Sequence, residues 1–425
     1  MSYPSMGVVG LGYVGLPLAM HFISTGIKVI GVDKDLEKID SLRLGNSYVE
    51  DVMDLDIVKA LKSGNFFPTN DFDALREVDF ISICVPTPVG KTYEPDVSFV
   101  TEAVENIAEI IQRGQTVILE STVYPGATEE LLCPILEKTG MTAGKDFFVA
   151  FSPERLDPGN TDHQIATIPK VIGGINEISA TKAIESYGPA FKSIIKVGST
   201  KEAELTKLLE NTFRAVNIAL VNEMAIMAHG MDIDIWKVID AAASKPFGFM
   251  PFYPGPGWGG HCIPVDPYYL AWRARMEGYD SGLIDEAGRI NQRMPNYVIE
   301  RLNVLMNTVS KPLNGSKILI IGMAYKRDVG DIRESPAVDV ANLLIERGVQ
   351  LKYHDPHISK VQLNKSEKTS EQLTTKLLNE QDLTVILADH TLIDYRFILT
   401  NSKMVFDTRA VARDIEGYYK NLHTL

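Results

Sequence analysis

The chain has 425 residues, 45% hydrophobic and 23% charged, with 42 Lys and Arg against 55 Asp and Glu and a net charge of −13. That excess of acid excludes a surface built to follow nucleic-acid phosphates, and any anionic substrate must be met by a local group of cations. A domain prior of roughly 100–200 residues predicts two or three packed units.

The N-terminus, MSYPSMGVVGLGYVGLP, has no basic segment followed by a long apolar run. Neither a signal peptide nor a membrane span is expected there, and the expected compartment is the cytoplasm. The three cysteines Cys84, Cys133 and Cys262 lie far apart and form no CxxC pair, so no zinc site or disulfide framework is predicted and no metal is expected. Cys84 in FISICVP and Cys133 in ELLCPIL read as small buried hydrophobes.

The first elements are apolar runs alternating with amphipathic stretches. MGVVG, KVIGVD, DFISICVP, TVILEST and FFVAFSP read as buried strands with helices between them, the pattern of a doubly wound parallel α/β sheet. Between the first strand and its helix, Gly10, Gly12 and Gly15 form G-x-G-x-x-G. A tight turn, a close backbone approach to pyrophosphate and close helix packing each exclude a Cβ there. Asp33 closes the second strand at the distance expected of an acid that binds a ribose diol, and it would repel a 2′-phosphate, so NAD is the expected cofactor. Thr122 and Glu154 follow later strand ends, on the sheet edge that faces a cofactor crevice.

From Thr200 to His229 apolar residues recur at threes and fours without proline or glycine, which predicts one helix of roughly 40 Å joining two domains and pairing two subunits. Lys207 and Asn211 are four apart on it, so an ammonium and an amide can reach one oxygen, although such a pair also occurs on ordinary solvated faces. MDIDIWKVIDAAAS predicts a second helix, capped by Asp232 or Asp234.

The loop GPGWGGHCIPVDPYY follows. Asp266-Pro267 reads as an N-cap and first helical position, which puts Cys262 just outside a helix N-terminus where thiolate is favoured. His261 is left open between assisting the thiol and packing. KILIIGMAYK, VQLKYHDP, LTVILAD and KMVFDTR then predict a second Rossmann-like set of strands, with Ser359–Thr375 as a polar surface excursion. The expected parts are an NAD-binding domain at 1–199, a central helical domain at 200–312 and a smaller α/β domain at 313–425.

A lysine, an asparagine, a thiol and carboxylates beside NAD suggest oxidation of a primary alcohol, capture of the aldehyde by the thiolate, a second oxidation to a thioester, and its hydrolysis by water near Glu154. Lys207 and Asn211 would stabilise the developing oxyanion. A two-electron β-hydroxyacid dehydrogenase would need no thiol, and an NAD-binding sensor would need none of these groups.

With GLGYVGLP, SICVPTP, ESTVYPG, SPERLDPG, TKLLENTFRAVN, GPGWGGHCIPVDPYYL, GMAYKRDVGDIRESP and FDTR in this order, the chain resembles the UDP-glucose/GDP-mannose dehydrogenase family over nearly its whole length. The resemblance implies oxidation of C6 of a UDP-sugar to the uronic acid with two NAD. It implies Cys262 as nucleophile, Lys207 and Asn211 as oxyanion pair, Asp266 in proton handling and Thr122 with Glu154 positioning water. Thr87 and Thr122 would join the glycines and Asp33 at the cofactor, and Gly259, Lys326, Arg333 and Arg409 would lie around the UDP-sugar. SKPFGFMPFYPGPGWGGHCIP resembles the branch acting on UDP-N-acetylglucosamine, and Asp157-Pro158-Gly159 replaces a segment typical of the UDP-glucose branch. UDP-N-acetylmannosamine stays open. The implied product would serve capsule or lipopolysaccharide O-antigen synthesis, and the implied assembly is a homodimer or larger.

Overall fold

The computed structural model describes residues 4–49, 51–90, 93–155, 165–417 and 419–425, and the Asp157-Pro158-Gly159 departure lies outside them. The chain forms two compact units, Met1–Glu210 with Tyr268–Asp280, and Asn211–Pro267 with Ser281–Leu425.

The first unit is built on eight strands: β1 (Met6–Val9), β2 (Val29–Val32), β3 (Phe66–Thr69), β4 (Phe80–Ile83), β5 (Thr116–Leu119), β6 (Phe148–Phe151), β7 (Lys170–Gly174) and β8 (Ile194–Lys196). Their order is β3-β2-β1-β4-β5-β6-β7-β8. Among the described strands of this sheet, only the β6–β7 pairing is antiparallel. β1 lies between β2 and β4, with Met6 opposite both Val29 and Phe80, so the strand order reverses there and leaves a crevice at the carboxyl ends. Apolar side chains fill both faces. Leu16, Leu18 and Phe22 are buried on one, and Val100, Val104 and Ile107 on the other. Burial on both faces explains why these strands read as continuous apolar runs.

The helix Thr200–Gly230 has 31 residues, which at the α-helical rise gives about 45 Å. The next helix, Ile235–Ala243, is capped by Asp234, whose carboxylate accepts from the backbone N–H groups of Trp236 and Lys237.

The second unit carries a five-stranded sheet of β9 (Lys317–Ile321), β10 (Gln350–His354), β13 (Leu383–Ile386), β14 (Val405–Asp407) and β15 (Leu422–Thr424) in the order β10-β9-β13-β14-β15, all parallel. One departure from expectation occurs here. The polar stretch after Ser359 contains a hairpin of β11 (Lys360–Leu363) and β12 (Ser366–Thr369), and it buries Val361 and Leu363 while its alternate residues face outward. Helix Gly282–Thr308 packs Val298, Leu302 and Met306 into the core of the unit and continues through Pro295.

Candidate active site

Parallel strands deliver their carboxyl ends to one edge, and in the first unit that edge collects Gly10, Asp33, Thr87, Thr122 and Glu154, which follow β1, β2, β4, β5 and β6. Gly10 has φ +91°, and a Cβ there would lie 2.6 Å from the Cys84 carbonyl oxygen. A Cβ on Gly15 would fall 1.8 Å from the Gly10 carbonyl oxygen. Gly12 differs: a Cβ there would meet nothing within 4 Å, so its outer side is open to an approaching pyrophosphate. The Asp33 carboxylate accepts from the Leu11 N–H at 2.9 Å and lies 3.5 Å from the Lys38 ammonium, which fastens the acid beside the glycine turn. An open glycine and an acid at the end of β2 fit a dinucleotide with a free ribose diol.

Behind this edge lies a group of charges that the sequence reading did not single out. The Lys170 ammonium donates to Glu120 at 2.6 Å and to Glu154 at 3.2 Å. The Tyr187 hydroxyl donates to the other Glu120 oxygen and lies 2.7 Å from the Ser82 hydroxyl. Burial pushes the Glu120 carboxyl up to about 7. Burial by itself would loosen the Lys170 proton, but the facing carboxylates outweigh it and hold that proton more tightly than usual. A glutamate closing the run TVILE and a lysine opening KVIGG were the available signals. Lys207 donates to the Glu154 backbone carbonyl at 2.6 Å. Cys84 is buried and its thiol is pushed far up by desolvation, and burial pushes the half-buried Cys133 up to about 12, so both are protonated at neutral pH.

In the second unit, Cys262 is half-buried on the turn that opens helix Asp266–Met276, and its carbonyl accepts from the N–H groups of Val265 and Asp266. Asp266 is the first helical residue and not the cap in front of it. Its buried carboxylate accepts from the Asn211 amide at 2.5 Å, so the side chain is directed at the long helix. Burial, then the neighbouring Arg333 guanidinium, holds the His261 imidazole below its usual range, so this ring is uncharged at neutral pH and supplies no positive charge to a thiolate.

Glycines let the Cys262 loop approach its neighbours. A Cβ on Gly255 would lie 2.7 Å from an Arg409 guanidinium nitrogen, and one on Gly259 would lie 2.7 Å from Cβ of Tyr325 and 2.8 Å from the Glu334 carbonyl oxygen. The Gly260 N–H donates to the Arg333 carbonyl at 3.1 Å. Thus Gly259, Arg333 and Arg409 gather around the Cys262 loop, and Lys326 lies next to Tyr325 in the same segment. The Arg333 guanidinium pairs with Asp331 at 2.6 Å. The turn after β9 repeats the logic of the first unit: Gly322 has φ +84°, and the Asp355 carboxylate after β10 accepts from the Met323 and Ala324 N–H groups.

Asp328, His357 and His390 form a group of possible metal ligands whose ligand atoms lie within 4.8 Å of one another. His390 Nδ1 accepts from the Asp328 N–H at 3.0 Å and Nε2 faces Asp355 at 3.1 Å, so this ring has no lone pair left for an ion.

Residues 5–191 match the NAD binding domain of the UDP-glucose/GDP-mannose dehydrogenase family, 201–293 its central domain and 319–414 its UDP binding domain. The chain belongs to that family. It is 38% identical over 362 residues to the UDP-N-acetyl-D-glucosamine 6-dehydrogenase of Pseudomonas aeruginosa, covering 83% of each chain. It is 34% identical over 386 residues to the UDP-N-acetyl-D-mannosamine dehydrogenase of Pyrococcus horikoshii, covering 91% of this chain and 89% of that one. A solved structure of the UDP-D-ManNAc dehydrogenase from Pyrococcus horikoshii superposes with a TM-score of 0.89 at 33% identity, over 99% of this chain and 98% of that one. This family member is therefore an NAD-dependent UDP-sugar dehydrogenase of α/β fold. Among the described residues no helix is long and apolar enough to cross a membrane.

Proposed function

We propose that the enzyme oxidises C6 of UDP-N-acetylglucosamine to UDP-N-acetylglucosaminuronic acid through a covalent intermediate on Cys262. The observation that carries this reading is the 2.5 Å hydrogen bond between Asn211 and Asp266, on the turn that presents the thiol. It ties the Cys262 turn to the helix bearing Lys207.

Bound NAD accepts a hydride from C6 in each of the two oxidations. In the first, Asp266 takes part in removing the hydroxyl proton while Lys207 and Asn211, one helical turn apart, stabilise the alkoxide as its charge develops. The Cys262 thiolate, favoured at the opening of a helix, adds to the aldehyde carbon to give a thiohemiacetal, and loss of the second hydride leaves a thioester. Glu154, with Thr122, then positions a water and takes its proton as the oxygen attacks the thioester. The C–S bond breaks, releasing the uronic acid and restoring the thiolate.

Thr87 and Thr122 line the cofactor side of this reading, and Gly259, Lys326, Arg333 and Arg409 the UDP-sugar side. The three parts 1–199, 200–312 and 313–425 divide cofactor binding, catalysis and UDP binding. UDP-N-acetylmannosamine is the second reading, favoured by the named relative and structure from Pyrococcus horikoshii. The proposed setting is the cytoplasm and the synthesis of a capsule or O-antigen polysaccharide. Leu205, Leu209, Phe213, Leu220, Met224 and Met227 are exposed along one stripe of the long helix, which supports a homodimer buried there; sedimentation of Leu209→Glu would then show a monomer.

Counting NADH against UDP-GlcNAc, UDP-ManNAc, UDP-glucose and UDP-galactose tests the reading. Two NADH per UDP-GlcNAc, blocked by iodoacetamide, is expected. One NADH per sugar, insensitive to the reagent, would defeat it.

A further inference from the structure

Lys170 sits in the core of the first unit with a side chain 4% exposed, facing a Glu120 side chain that is fully buried and a Glu154 side chain 11% exposed. Removing such ions from water costs several kcal/mol each, so a cluster of this kind persists only where its geometry is well satisfied. Here it is. Both Lys170 contacts are within hydrogen-bond distance, Tyr187 donates to the far oxygen of Glu120, and the Tyr187 and Phe191 rings lie 5.8 and 5.4 Å from the ammonium.

We propose that Lys170, anchored by Glu120 and Tyr187, is a positioning residue that aims the Glu154 carboxylate and keeps it ionised to take the proton of the hydrolytic water. This rests on the reading of Glu154 given above. One cation faces two carboxylates, so close to neutral pH one of them can shed its charge and the other keep it. Glu120 is the deeper of the two, and burial pushes it up to about 7, which leaves the lysine's charge to the less buried Glu154.

Other described groups near Glu154 leave this arrangement in place. The Arg155 N–H donates to Glu154 Oε1 at 2.6 Å, while the Arg155 guanidinium is taken up by Glu210. Lys207 donates to the Glu154 backbone carbonyl. The His21 ring, lowered by burial, is uncharged at neutral pH, and the Cys84 thiol is protonated. Lys170 is thus a cation in direct contact with the Glu154 carboxylate, at 3.2 Å.

The test is a pair of variants with opposite signs. In Lys170→Met the acid limb of thioester hydrolysis moves up by about 1–2 pH units, because a neighbouring cation normally lowers a carboxyl by that order. In Glu120→Gln, an isostere that keeps the hydrogen bond to Lys170, the limb moves down, since a competing negative charge has gone. Hydrolysis is followed by mass spectrometry as decay of the Cys262 adduct in the full enzyme, and NAD affinity, expected to stay within about twofold, reports that the fold is intact. The Glu154 carboxyl stretch, identified by its loss in Glu154→Gln, is titrated in parallel by infrared difference spectroscopy. Opposite shifts in both readouts support the proposal. A carboxyl titration that moves in neither variant overturns it whatever the enzyme's activity. A carboxyl that shifts while hydrolysis keeps its wild-type pH profile removes Glu154 from the proton transfer, and with it the role of Lys170.

Discussion

The Asn211 amide donates to the Asp266 carboxylate at 2.5 Å, joining a residue of the long helix to the first residue of the helix that follows Cys262. Both side chains are buried, so the pair holds its geometry without competition from water. Asp266→Asn preserves the shape and replaces the acceptor with an amide that can rotate to accept through its oxygen. We expect the fold and NAD affinity to survive and kcat for the first oxidation to fall by about 100-fold or more, the usual scale for loss of a group that handles a proton. Stopped-flow absorbance of NADH checks this, and a kcat within a few fold of wild type would remove Asp266 from the chemistry.

Cys262→Ser removes the nucleophile and little volume. The alcohol oxidation needs no thiol, but the aldehyde then has no covalent anchor. Expected are NAD binding at the wild-type level and no uronic acid by mass spectrometry of the products. Normal acid production by the serine variant would refute the thioester.

Two glycines of one turn should fail in different ways. A Cβ on Gly15 collides with the Gly10 carbonyl oxygen at 1.8 Å, so Gly15→Ala must displace backbone and should lower the melting temperature of the protein as well as NAD affinity. A Cβ on Gly12 meets no protein atom within 4 Å, so Gly12→Ala should leave the melting temperature alone and weaken NAD alone. Calorimetry without ligand, followed by NAD titration, separates the two. An equal loss of thermal stability in both variants would contradict the assignment of the open side of Gly12 to the cofactor.

The parts of this molecule that could be read from the sequence were those whose cause is local. β1, β2, β4, β5 and β6 are apolar runs because both faces of a parallel sheet are covered, and the glycine turn after β1 is a steric requirement of the backbone. Strands β3, β7 and β8 were not singled out: the first contains a proline, the second opens with Lys170, and the third is three residues long. Helix Gly282–Thr308 is masked by its polar content and by Pro295. At the site, Cys262 stood out because its loop is unusual. The Lys170–Glu120 pair did not, since its partners are 50 positions apart and no periodicity links them. The cap role expected of Asp266 was one residue off, and its real partner, Asn211, is 55 positions away.

In the second unit, Asp355 offers a pH prediction of fixed sign. Its carboxylate is desolvated, which by itself would raise it. The His390 ring and the N–H groups of Met323 and His357 more than compensate and bring it down to about 2 from an ordinary 3.8. A carboxyl lowered on folding contributes stability that is present above its unfolded value, near 4, and is lost as pH falls through about 2. The shift corresponds to about 2 kcal/mol. Asp355→Asn should therefore reduce the protection of the Met323 and Ala324 amides against hydrogen exchange at neutral pH by roughly 30-fold, the equivalent of that energy. Because those two amides belong to the turn that leads to Tyr325 and Lys326, the same variant should raise KM for the UDP-sugar more than it lowers kcat. Unchanged exchange at both amides would show that the carboxylate does not hold that turn.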